Sequence, residues 1–181
     1  MQAPFVVISG IPGSGKSNLG RWLSPLLALP VLDKDDILET LFESKGTGDL
    51  EWRTALSRES DLIFRKEAEK SSGAILVSFW HLPGMAEDSG TPTGWLSALS
   101  TRIVTLQCDC SPVVATARFL ERQRHPGHLD HLKTHIDVLK SIESLATLKG
   151  LELGTTIRCD TSSAFDLVEL AARISTALNR L

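Results

Sequence analysis

The sequence predicts a three-layer α/β fold, a five-stranded parallel sheet with helices on both faces, on three observations. Short apolar runs alternate with longer amphipathic stretches along the whole chain. The first apolar run passes directly into a glycine-rich turn that opens a helix. The 181 residues have ordinary globular composition, 42% hydrophobic and 23% charged. Strands alternating with helices imply parallel pairing through crossovers, and a chain of this length buries most of its apolar surface within one domain, 1–181.

Each element has its own signal. Phe5 to Ile8 reads as a buried strand, and the stretch 15–28 as a helix that Pro25 shortens or kinks. Pro30 to Leu32 predicts a second strand and Asp35 to Phe42 a helix; Leu50 to Lys70 predicts one or two helices. Ala74 to Val77 and Ile103 to Leu106 are the third and fourth strands. Gly84 to Gly94 reads as a surface loop. Ser111-Pro112 supplies a cap and first-turn proline for a helix reaching about Arg124, where His125-Pro126-Gly127 breaks it. A further helix is expected over 129–147. Thr155 to Cys159 completes the sheet, and a terminal helix is expected from Ala164 to Arg180. Trp22, Leu23, Leu26 and Leu27, at helical spacing, read as core packing.

Composition narrows the function classes. A formal net charge of −3 implies no basic face, which argues against nucleic-acid binding. The apolar runs are too short to span a bilayer. Met1 to Pro4 leads straight into a strand, leaving no signal-peptide region, and three cysteines without a C-x-x-C pair fit a reducing cytoplasm.

The strongest signal is Gly10-Ile-Pro-Gly-Ser-Gly-Lys16-Ser17, which fills G-x-x-x-x-G-K-[ST] between a strand and a helix. Gly10, Gly13 and Gly15 let successive N–H groups face phosphate oxygens, and the helix start adds its positive end. Lys16 meets the β- and γ-phosphates, Ser17 ligates Mg²⁺, and Ser14 and Asn18 belong to the same nucleotide-binding set. ATP and Mg²⁺ are therefore the expected ligands of this P-loop NTPase fold of nucleoside-kinase-like type. A carboxylate at Asp33, Asp35 or Asp36, just past a strand beside this loop, can orient a hydroxyl for attack or merely favour a helix start.

Val31-Leu-Asp33-Lys-Asp35-Asp36-Ile37 after the second strand resembles the P-loop kinase group, an AAA-type ATPase family, that includes gluconate kinase, chloramphenicol phosphotransferase, zeta-toxin kinases and polynucleotide 5′-kinase. The resemblance implies that Asp35 takes the proton of the acceptor hydroxyl. It also implies a helical lid over about 118–135, with Arg118 and Arg122, four apart, and Arg124 after them, closing on the triphosphate. Ile157-Arg-Cys159-Asp160-Thr161 resembles the group's strand-loop near the adenine, which places Thr161 with the nucleotide. The implied activity is transfer of the γ-phosphate of ATP to a hydroxyl of a small molecule. A larger acceptor, a 5′-hydroxyl polynucleotide or a nucleotide-sugar, and a nucleotide-dependent regulatory module are the alternatives.

The third strand ends Val77-Ser-Phe-Trp80 without a Walker-B carboxylate, which argues against a motor or switch and leaves Mg²⁺ to Ser17, phosphates, water and Asp33 or Asp35. Trp80 and His81 offer a stacking surface for a substrate ring or aromatic packing. His125, His128, His131 and His135 would lie near one helix face if the helix extended that far, as a lid segment with His128 touching substrate or as an imidazole array for zinc or nickel. Arg53, Arg58 and Arg65 are solvated helix residues or contacts to an anionic substrate. The sequence specifies neither the acceptor nor the oligomeric state.

Overall fold

The computed structural model describes residues 2–180. Five strands, β1 (Phe5–Gly10), β2 (Val31–Asp33), β3 (Ala74–Val77), β4 (Ile103–Asp109) and β5 (Thr155–Asp160), form one parallel sheet in the order β2-β3-β1-β4-β5. Phe5 stands opposite both Ala74 and Ile103, which fixes β1 as the central strand. The chain leaves β1 toward one edge and β3 toward the other. A crevice therefore opens above the carboxyl ends of these central strands, where ligands collect in open α/β sheets.

The helices are α1 (Lys16–Leu27), α2 (Lys34–Lys45), α3 (Leu50–Lys70), α4 (Leu96–Leu99), α5 (Pro112–Glu121), α6 (His135–Ala146) and α7 (Leu167–Asn179). Alternation along β1 sends Val6 and Ile8 to one face, where they meet Leu19 and Leu23 of α1 and Leu170 and Ile174 of α7. Phe5 and Val7 face the other side and pack with Phe64, Ala68, Trp80 and Leu96. Both faces are covered, which is why β1 reads as a continuous apolar run. Two smaller clusters join α2 to α3 and α5 to α6.

Several boundaries differ from expectation. Leu50 to Lys70 is a single helix, because Asp49 caps it and neither glycine nor proline interrupts it. In contrast, α5 stops at Glu121, and Arg122 turns into an extended conformation. His125 precedes a proline and is extended as well, as the proline ring requires. The expected helix over 129–147 begins only at His135, where Thr134 and Asp137 form a reciprocal capping box. The expected helical lid is thus mostly irregular, with 3₁₀ turns at Pro126–His128 and Asp130–Leu132 separated by Leu129 at φ 59°. The four histidines consequently do not share a helix face. Asp166 accepts from Val168 and Glu169 N–H, so the terminal helix starts at Leu167 rather than Ala164. Trp22 and Leu26 are not core residues: they are 53% and 45% exposed, and α1 buries Leu19, Gly20 and Leu23 instead.

Candidate functional site

The loop between β1 and α1 is shaped for an anion. Gly13 adopts φ +79°, and a Cβ there would lie 2.0 Å from the Ala115 carbonyl oxygen of α5, so only glycine fits. Lys16 is almost fully buried, and its ammonium donates to the carbonyls of Gly10 (2.8 Å) and Ile11 (3.0 Å), folded across the loop. Burial lowers its pKa to about 8. The Ser14 hydroxyl is buried without a hydrogen-bond partner among the described residues. Together these groups fit a bound phosphate chain, which would give the Ser14 hydroxyl a partner and Lys16 an anion in place of the two carbonyls. Asn18 is exposed on the first turn of α1, beside this loop.

Asp33 ends β2 and caps α2. Its Oδ1 accepts from the Asp35 N–H at 3.1 Å, while Oδ2 is buried and, among the described residues, has no hydrogen bond and has its nearest cation, Arg21, 3.9 Å away. Burial raises the Asp33 pKa to about 6, and the neighbouring Ser17 hydroxyl opposes that rise. A buried, unpaired carboxylate oxygen beside a serine hydroxyl is a hard-oxygen pair suited to Mg²⁺. Asp35 lies in the first turn of α2 with its side chain 47% exposed, and Arg124 binds its carboxylate. Burial opposes ionisation of Asp35, but Arg124 foremost, then His128, Arg122 and Lys16, outweigh it and hold the carboxyl below its usual range.

Between the two aspartates, Lys34 turns inward. Its ammonium meets Asp61 at 2.7 Å and Ser57 at 3.0 Å on α3. Asp61 also accepts from Arg58 (3.0 Å) and from Thr91 (2.9 Å), which pairs with Ser78 at 2.6 Å. Burial lowers the Lys34 pKa, with Asp61 resisting. This network anchors the first turn of α2, and so fixes the direction of Asp33 and Asp35 on either side of Lys34.

The segment after α5 lies on α2 and α3. Asp130 gathers Arg122 (3.3 Å), Arg124 (3.1 Å) and Lys133 (2.9 Å). The buried His128 ring meets Glu39 at 2.8 Å, and its backbone carbonyl accepts from Arg53 Nε at 3.1 Å. Phe42 stacks on His125 at 5.2 Å and meets His128 edge-on at 5.4 Å. A Cβ on Gly127 would come within 2.6 Å of the Phe42 ring, so this approach also requires glycine.

The expected site residues divide. The phosphate loop, Asp33, Asp35 and Arg122 converge on the crevice. Arg118 turns elsewhere, donating to the Thr161 carbonyl at 2.8 Å, while Thr161 itself bonds the Asp109 carbonyl through N–H (2.8 Å) and Oγ1 (2.9 Å). Trp80 is not a stacking surface: it is 2% exposed in the core, with its indole N–H on the Ile8 carbonyl at 2.8 Å. His81 is engaged with the Ser89 carbonyl, at 2.7 Å from Nδ1, and the His128 side chain is 1% exposed. Arg65 pairs with Glu69 on the outside of α3. Two features escaped sequence reasoning. Arg124, expected over the triphosphate with Arg118 and Arg122, is the arginine on Asp35. The Lys34–Asp61 pair carried only a faint signal, a lysine enclosed by aspartates.

No protein-family model matches the chain. Over 77 residues it is 38% identical to shikimate kinase of Corynebacterium glutamicum, a stretch covering 41% of this chain and 45% of that protein. The match thus spans less than half the length of that curated relative. A candidate kinase from Chloroflexus aurantiacus superposes with a TM-score of 0.80 at 22% identity, covering 98% of this chain and 99% of the other. Shikimate kinase from Bacteroides thetaiotaomicron superposes at 0.59 with 18% identity, covering 98% and 99%. A sugar kinase from a Janibacter species reaches 0.52 with 21% identity over 98% and 95%. The fold is that of the P-loop kinases.

Proposed function

We propose that this chain is an ATP- and Mg²⁺-dependent phosphotransferase that moves the γ-phosphate to a hydroxyl of a small molecule in the cytoplasm. In this reading residues 1–181 form one P-loop kinase-like domain, akin to the gluconate kinase and chloramphenicol phosphotransferase group, with a lid at about 118–135. The observation that carries it is Asp35. A half-exposed carboxylate sits at the carboxyl end of β2, in the field of Lys16, and is held ionised by an arginine of the lid segment.

Each residue then has a task. The backbone amides of Gly10, Gly13 and Gly15 and the start of α1 hold the phosphates, and Lys16 leaves the Gly10 and Ile11 carbonyls to meet them. Ser17 and Asp33 would hold Mg²⁺, which when bound neutralises charge on the phosphate oxygens. Asp35 orients the acceptor hydroxyl and takes its proton as the oxygen bonds to the γ-phosphorus and the bond to the ADP oxygen breaks. Arg122 and Arg124 are placed to stabilise charge on the transferring group, while Arg118 and Thr161 line the base-binding end. ADP release measured against a panel of hydroxyl acceptors tests the reading. Turnover with one acceptor, lost in Lys16→Ala and in Asp35→Asn, is expected. Nucleotide binding with no acceptor-dependent turnover across sugars, sugar acids, nucleosides and antibiotics would count against it.

A further inference from the structure

Three thiols lie at the carboxyl ends of β4 and β5, and two of them form a pair. Cys108 and Cys159 stand directly opposite each other in the parallel β4–β5 register, and both side chains enter the core cluster shared with α1 and α7. Neighbouring strands run about 4.8 Å apart, inside the roughly 4.4–6.8 Å that separates the α-carbons of a disulfide. Cys110 belongs elsewhere: it packs against the α5–α6 cluster, with Arg118 Nη1 3.8 Å from its sulfur. Among the described residues β5 is an edge strand held by β4 alone, so it can yield the extra ~1 Å by which the β-carbons must approach. Cys159 is reached from one side. A cleft of about 210 Å³, open to solvent, lies between the end of β5 and α7, and Cys159 lines it with Arg158, Phe165, Glu169 and Arg173. Burial pushes the Cys108 thiol up to about 12, with Lys16 opposing. Burial foremost, and then Asp160, raise Cys159 as well, with Arg173 opposing. The resting pair is therefore protonated and reduced, and answers only to an excess of oxidant.

We infer that Cys108 and Cys159 form a reversible redox site, oxidised by a low-molecular-weight disulfide that enters the β5–α7 cleft. The Cys159 thiolate attacks one sulfur of oxidised glutathione and expels the first glutathione thiolate. Cys108 then attacks the Cys159 sulfur of the mixed disulfide and expels the second. The protein pair gives up two electrons and two protons, and the reagent becomes two molecules of glutathione. The closure is felt at the phosphate loop. A Cβ on Gly10 would lie 2.8 Å from the Cys108 carbonyl oxygen and 3.0 Å from its Cβ, so these backbones have no slack between them. Drawing β4 and β5 together here shifts Gly10 and, two residues past Cys159, Thr161. Oxidation thus weakens nucleotide binding, a consequence that rests on the nucleotide-binding reading, whereas the thiol pair does not. Because the strands are drawn closer than their pairing distance, the bond is strained and easily reduced.

Peptide mapping and nucleotide binding test it on the folded protein. Wild type is incubated with oxidised glutathione in native buffer, and the remaining thiols are alkylated. The chain is then cut without reduction before Asp109, which separates Cys108 from Cys110. A Cys108–Cys159 bond is expected, with Cys110 alkylated. Cys108→Ala should stop at one glutathione on Cys159, and Cys110→Ala should behave as the wild type. A non-hydrolysable Mg·ATP analogue should bind the oxidised wild type roughly 10-fold or more weakly, and dithiothreitol should restore the affinity. Cys159→Ala should keep its affinity through the same treatment. No bond between these two residues, a bond through Cys110, or an oxidised protein that binds nucleotide as well as the reduced one overturns the inference. Reduced and oxidised wild type share one sequence, so the result does not hinge on whether a variant folds. Failure of the reduced protein to bind nucleotide would count against the phosphotransferase reading instead, and the peptide map would still decide the thiol pair.

Discussion

Replacing Asp33 by Asn should stabilise the protein without nucleotide while removing its use of magnesium. The Asp33 carboxyl is 4% exposed, and burial raises its pKa from 3.8 to about 6. Because the folded-state pKa lies above the unfolded value, folding favours the protonated form. The stability linked to that proton is complete below pH ~4 and is lost as pH rises through about 6. At ~1.4 kcal/mol per unit, the ionised group costs about 3 kcal/mol at neutral pH. Asn keeps an oxygen to cap the Asp35 N–H and carries no charge to bury. Urea unfolding of both proteins in magnesium-free buffer, from pH 4 to pH 8, isolates the effect, since all other titrations cancel in the difference. The two should be nearly equal at the acid end, and the variant should be more stable by about 1–3 kcal/mol above pH 7. In parallel, magnesium should no longer strengthen nucleotide binding to the variant. A stability difference that is flat across this range would refute the reasoning, because the penalty would then not arise from ionisation.

Two further outcomes follow from the same geometry. Arg124 holds the Asp35 pKa down, so Arg124→Gln should move the acid limb of kcat/KM toward higher pH; an unmoved limb would detach that arginine from the base. Gly13→Ala should abolish nucleotide binding and lower stability by roughly 3 kcal/mol or more, read by thermal melting, because its Cβ meets the Ala115 carbonyl and its φ is positive.

The sheet and the phosphate loop were legible because they rest on local signals. Apolar runs mark β1, β3 and β4, and the glycines and lysine of the loop sit at fixed offsets within a few residues. The lid was not. Helical spacing over 112–147 suggested two long helices, but Arg122 and Arg124 leave the helix to reach Asp130 and Asp35, the latter 89 positions away. Ion pairs between distant residues leave no periodic trace. Trp80 was ambiguous for a similar reason: an aromatic residue after a strand can face a ligand or turn under the sheet. Its hydrogen bond to Ile8, 72 residues earlier, decides for the core. Arg53 was visible as a charge on a helix, but its hydrogen bond to the His128 carbonyl, 75 residues later, leaves no local trace.

The aromatic cluster beneath the crevice also equips the molecule with an optical reporter. The chain has four tryptophans and no tyrosine, so its near-ultraviolet emission is due almost wholly to indole. Trp80 and Trp95 lie 6.5 Å apart with ring planes at 53°, close enough and skewed enough for their excited states to couple and give a paired circular-dichroism signal. Trp22 is exposed on α1 and Trp52 stands at the start of α3, so both emit from wetter surroundings. Because the Trp80 indole hangs from the backbone of β1, two residues before the phosphate loop begins, this native chromophore pair can register ligand-induced shifts without any label.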